Sequence, residues 1–233
     1  SRRGSPIRRF SWPIRRLVDG THSTDASSRF LRIVRRFQWM RVLSTLETIV
    51  SLLRRCPLST LTADQVIALL TDYTRQSGVP VDVLLVGALA LQAYGYQNRL
   101  TRDVDAEVVG SVEALAEFFG QHDIPADLTS NFSGWSIVAM PPGYRERATD
   151  LVHHSHLRVR LLAPLDFIIA KLRRGTDLDL DDAGFVATRY GITGEQVHGA
   201  AQAALAASSQ DTALFLFRKT VELFCKSLSS SNP

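Results

Sequence analysis

The sequence predicts an α+β protein, with a small mixed sheet flanked by helices and followed by a C-terminal helical bundle. Three observations predict it. Apolar residues at helical spacing dominate both ends of the 233-residue chain. Short apolar runs of strand length, punctuated by Gly and Pro, fill the middle. Helix-start signals stand at Thr62, Ser111 and Thr193. A chain of this length with 45% hydrophobic residues can bury a core of its own.

Taken in order, Val42, Leu43, Leu46, Ile49, Val50 and Leu53 recur at helical spacing until Pro57. Thr62-Ala63-Asp64-Gln65 is a capping box opening a helix over Ala63–Gln76. Gly78-Val79-Pro80 ends it and leads into a strand, Asp82–Val86. A small-residue turn, Gly87-Ala88, starts a short helix that ends near Gly95. A polar loop then reaches a second strand through Asp103-Val104-Asp105. Ser111 caps an amphipathic helix, Val112–Phe119. Ala126–Asn131 and Gly134–Met140 read as strands, Tyr144–Ala148 as one helical turn, and Asp150–His153 with Leu157–Leu161 as a hairpin. Pro164 suits the first turn of a helix whose buried stripe is Leu165, Phe167, Ile168, Ile169 and Leu172, with Lys171 at its edge. An acidic loop, Asp177–Asp182, leads to a helix ending near Tyr190-Gly191. A second capping box, Thr193–Gln196, opens an alanine-rich helix. Thr212–Leu228 closes the chain, its apolar residues being Phe215, Phe217, Val221, Phe224 and Cys225.

Ten arginines, from Arg2 to Arg36, precede Met40, and without that segment the remainder turns acidic. The net charge of +4 is therefore an N-terminal property, not a groove across the fold. Residues 1–39 read as a basic, disordered extension upstream of a start at Met40. A nucleic-acid-binding arm and a targeting peptide are the other readings. Residues 40–163 form the expected core and 164–233 the helical region. Cys56 and Cys225 have no metal or redox spacing and suit reduced thiols in a cytoplasmic protein. No apolar run reaches membrane-spanning length. His153, His154 and His156 suit a surface hairpin better than zinc, because neighbours on a strand face opposite sides.

The stretch from Val83 to Val108 carries the chemistry. Its turn offers backbone N–H groups at a helix start, which suits phosphate. Asp103 and Asp105 lie two apart on a strand and face one side, with Glu107 extending the row. Crowded carboxylates invite a hard divalent cation such as Mg²⁺. Trp135, Tyr94 and Tyr96 are aromatics able to stack a base.

This stretch resembles the signature of the nucleotidyltransferase (DNA polymerase β-like) superfamily, in which a Gly-Gly or Gly-Ser turn precedes an Asp-x-Asp strand. It is most similar to the AbiEii-like branch, whose Arg-x-Thr/Ser-x-Asp-x-Asp run matches Arg99-Leu100-Thr101-Arg102-Asp103-Val104-Asp105. Ala88 stands where that family has Gly or Ser, so no hydroxyl meets a phosphate there. A second likeness is a helical Lys followed by acids, here Lys171 with Asp179 and Asp182. The resemblance implies a nucleotidyltransferase core that uses Mg²⁺ held by Asp103 and Asp105. It implies a nucleoside triphosphate substrate contacted at Gly87, Ala88, Arg99 and Lys171, with Asp182 orienting Lys171 or moving a proton. The acceptor would be RNA, such as a tRNA end, or a protein, and the branch includes toxins paired with an antitoxin. Such enzymes usually add a third carboxylate from the neighbouring strand. Gly134–Met140, expected in that place, has none, which leaves a catalytically degenerate nucleotide-binding or protein-interaction module as the alternative.

Overall fold

The computed structural model describes residues 60–209, 211–212 and 214–230. The N-terminal extension, the helix expected from Val42 to Leu53, Met40 and Cys56 lie outside the described residues. Those described belong to one unit, Pro57–Pro233.

The chain runs α1 (Ala63–Ser77), β1 (Val81–Leu85), α2 (Ala88–Ala93), β2 (Val104–Val109), α3 (Val112–Gln121) and β3 (Ala126–Thr129). A 3₁₀ turn (Phe132–Trp135), β4 (Thr149–His153) and β5 (Leu157–Leu161) follow. The helices α4 (Pro164–Arg174), α5 (Asp177–Tyr190), α6 (Gly194–Ala207) and α7 (Leu214–Ser230) complete it. Local signals account for most starts. Thr62 and Gln65 form a reciprocal capping box at α1, as Thr193 and Gln196 do at α6, and the Ser111 hydroxyl accepts from Ala114 N at α3.

The five strands form one mixed sheet in the order β3-β2-β1-β5-β4. β1 lies in the centre, antiparallel to β2 and parallel to β5. β3 runs parallel to β2, and β4 antiparallel to β5. The central strands VDVLL and LRVRL are almost wholly buried, whereas the edge strands ADLT and TDLVH are mostly half-buried or exposed. That division follows hydropathy, because edge strands tolerate polar side chains. One buried cluster runs from Leu61 through Leu84, Phe119, Phe167 and Ile168 to Phe224. Among the described residues, no helix is long and apolar enough to cross a membrane.

Three expectations are corrected. Gly134–Met140 is not a strand. The Ser133 hydroxyl accepts from Met140 N and folds the segment back on itself, so β propensity gives way to local closure. Asp177–Asp182 is not a loop but the first turns of α5, where Thr176 and Asp179 form a capping box and acids suit the positive helix end. Phe215 points outward, 65% exposed, while Phe217, Val221 and Phe224 face the core.

Candidate active site

The end of β1 turns at Gly87 into α2. The Gly87 φ of −96° lies outside the left-handed region, and space is what demands glycine. A Cβ added there would lie 2.0 Å from Asp105 Oδ2 and 2.6 Å from Asp105 Cβ. The Asp105 carboxylate therefore sits directly across the turn. Val86 N donates to Asp105 O at 3.1 Å and fixes the two strands at this point.

Asp103 lies one residue before β2 and not on it. Its carboxylate is exposed and accepts from the Thr101 hydroxyl. The third carboxylate comes from elsewhere. The strand beside β2 is β3, in a register that sets Asp127 opposite Asp105. Partners in a parallel pair share a face, so Asp105 and Asp127 both line one cavity of about 510 Å³. Sequence reasoning missed Asp127. The available signal was the β2-α3-β3 order, since a helix between two strands brings them together in parallel. Burial pushes the Asp105 carboxyl above its ordinary value. The charges of Asp103 and Asp127 add to the rise, and Arg174 and Lys171 offset part of it. Glu107 shares the β2 face but is committed elsewhere. Buried, it accepts from Phe132 N at 2.9 Å, from the Tyr144 hydroxyl and from Arg145.

The opposite wall is cationic and comes from α4. Gly175, at φ +65°, lets α4 end and α5 begin at once, which brings Lys171 against the acids of α5. Lys171 is buried rather than at the edge of its stripe. Its Nζ donates to Asp182 Oδ2 at 2.7 Å and to Asp179 Oδ1 at 3.4 Å. Arg174 clamps Asp179 with two bonds, Nε at 3.0 Å and a terminal nitrogen at 2.8 Å. Burial raises the Asp179 carboxyl, but hydrogen bonds from Arg174 and Thr176 and the Lys171 charge outweigh it and hold it below the ordinary range. Asp182 is wholly buried, with Arg99 Nε 3.4 Å from its Oδ1.

The 3₁₀ turn closes the cavity. Phe132, Trp135 and Ser136 line it, and Trp135 is 40% exposed and edge-on to Phe132. Of the other aromatics, Tyr94 is buried with its hydroxyl on Leu162 O, and Tyr96 stacks on Phe185. Arg173 crosses from α4 to this turn, donating to Phe132 O at 3.2 Å and Ser133 O at 2.8 Å. Of the residues expected in the site, Gly87, Asp105 and Lys171 line the cavity. Ala88, Arg99, Asp103 and Asp182 flank it without lining it.

Three carboxylates (Asp105, Asp127, Asp179) thus face three cations (Lys171, Arg173, Arg174) in one pocket beside a glycine turn. Such a pocket accommodates a cation and a polyanion together. With the mixed sheet, it defines an α+β protein of nucleotidyltransferase-like fold. Residues 60–208 match the family described as "Nucleotidyltransferase of unknown function (DUF6036)", and the chain belongs to that family. A solved structure it resembles is an antigenic nucleotidyltransferase-like protein from Paracoccidioides brasiliensis, with 17% identity over 70% of this chain and 92% of that one, at a TM-score of 0.38. No curated protein matches the chain.

Proposed function

We propose that the protein transfers a nucleoside monophosphate from a nucleoside triphosphate to an RNA or protein acceptor, in a Mg²⁺-dependent reaction. The observation that carries this reading is Asp127 opposite Asp105 in the cavity that Lys171, Arg173 and Arg174 line from the other side. The donor set suits magnesium. The carboxylates are hard oxygen ligands, and burial, followed by the charges of Asp103 and Asp127, raises the Asp105 carboxyl. An ion of this kind is commonly held by one or two carboxylates plus substrate phosphates. Asp105 and Asp127, with Asp103 beside them, would hold it. When bound, it would polarise the reacting phosphate and withdraw charge from the leaving pyrophosphate.

The chain's own residues do the rest. Gly87 leaves room for Asp105 and for a close approach of substrate. Lys171 and Arg174 bring positive charge to the cavity wall while Asp179 and Asp182 fix their geometry. Trp135 gives the base an aromatic surface. The acid-free segment Gly134–Met140 favours a degenerate module only if it is the neighbouring strand, and it is not. Within this proposal, the Arg99–Asp105 run supports an AbiEii-like member and a toxin held in check by an antitoxin.

The test incubates the full chain with each α-labelled nucleoside triphosphate, Mg²⁺ and either total tRNA or a cell protein extract. Label should move to one acceptor class, and Asp105→Asn and Asp127→Asn should each abolish transfer. Transfer undiminished in both variants, or no transfer to either class, overturns the reading.

A further inference from the structure

The cations of the cavity are not equivalent. Lys171 and Arg174 are each bonded to a buried carboxylate. Arg173 has no carboxylate within ion-pair distance among the described residues. Among the described residues it is anchored by the Phe132 and Ser133 carbonyls and the Phe132 ring, 4.9 Å from the guanidinium carbon. Its Nε is buried without a hydrogen-bond partner. Burial pushes its basicity down to about 10. A guanidinium drawn partly out of water and left without a counter-charge is costly, so its place at the wall of a cavity suits an anion. The two carbonyls pin one terminal nitrogen, which leaves the other terminal nitrogen for a ligand.

We infer that Arg173 is the polyphosphate-binding residue of this pocket, accepting the non-transferred phosphates of the nucleotide as the counter-charge that the fold does not provide. This rests on the nucleotide reading above but goes beyond it, because it assigns phosphate recognition to Arg173 rather than to the already neutralised Lys171. It also gives the 3₁₀ turn a role. Glu107 holds the turn through Phe132 N, and the turn aims Arg173 through Phe132 O.

The experiment measures binding of nucleoside triphosphate, nucleoside monophosphate and inorganic tripolyphosphate by calorimetry to the full chain and to Arg173→Gln and Arg173→Lys. R173Q keeps a donor for the two carbonyls and loses the charge. It should bind triphosphate about ten- to a hundredfold more weakly, as expected for a lost charge-assisted bond, while monophosphate affinity changes less than about threefold. R173K should recover part of the loss, since Lys supplies charge without the fork. A purely structural cross-link would weaken both nucleotides alike, and that result overturns the inference. Wild-type protein that binds triphosphate no better than R173Q also overturns it, while the nucleotide reading stands. Tripolyphosphate bound in an Arg173-dependent way without nucleotide binding keeps the anion site and sinks the nucleotide reading. If R173Q does not fold, the triphosphate-to-monophosphate affinity ratio of R173K decides, and a ratio equal to wild type counts against the inference.

Discussion

Gly87→Ala tests the centre of the site. The added methyl would stand 2.0 Å from Asp105 Oδ2, 2.7 Å from its Cγ and 2.6 Å from its Cβ. The oxygen could rotate away, but the Asp105 Cβ belongs to a strand bonded on both sides and cannot. Restoring ordinary contact needs a shift of about 1 Å in β2 or the turn. Overpacking of this kind costs about 1–3 kcal/mol. In a domain of this size that lowers Tm by roughly 2–4 °C per kcal/mol. On the proposed function, a displacement of that size at Asp105 would reduce turnover by about a hundredfold. The assay is a double-mutant cycle by denaturant unfolding, with Gly87→Ala made in wild type and in Asp105→Gly. The destabilisation should be present in the first background and largely gone in the second, because the three nearest clashing atoms have been removed. An equal cost in both, or no cost in wild type, would show that Asp105 does not pack across the turn.

Two further outcomes follow from the charges. Lys171→Met leaves Asp182 without its 2.7 Å partner in the interior, and should destabilise by about 3–5 kcal/mol; a loss under 1 kcal/mol in urea unfolding contradicts the described burial. Asp105 has a raised carboxyl pKa, so the stability it contributes is complete below its unfolded value, about 3.9, and is lost as pH rises through its folded value. At pH 7 the ionised side chain is therefore a liability. Asp105→Asn should melt above wild type without metal, Mg²⁺ should raise the wild-type melting temperature and not the variant's, and the two proteins should converge near pH 3. A variant that melts below wild type at pH 7 would refute the raised carboxyl that burial and the neighbouring acids produce.

What sequence could show was local. The boxes Thr62–Gln65 and Thr193–Gln196 and the Ser111 cap are written in adjacent residues, and helix starts followed from them. The Gly87 turn and Asp105 were legible because a strand and a tight turn fix their neighbours. Asp127 was not, since ADLT shows no clean alternation and its place beside β2 depends on a pairing across a helix. GWSIVAM carries β-forming residues, but the Ser133 hydroxyl ties its last residue, Met140, back to the turn and Arg173 anchors Ser133. The six acids and leucines after Thr176 read as solvated loop until the cap is recognised as a helix start. Arg173 stood unremarked in Lys-Leu-Arg-Arg, because only tertiary contact separates a neutralised cation from an unmatched one.

β3 is four residues long and bonded to the sheet on one side only, yet it carries Asp127. A short margin can detach while the centre of the sheet stays intact. The proposed activity could then be silenced without melting, by peeling away a single acid. Ligand would be felt there first, as slowed amide exchange at Asp127 and Leu128 against unchanged exchange in Val83–Leu85.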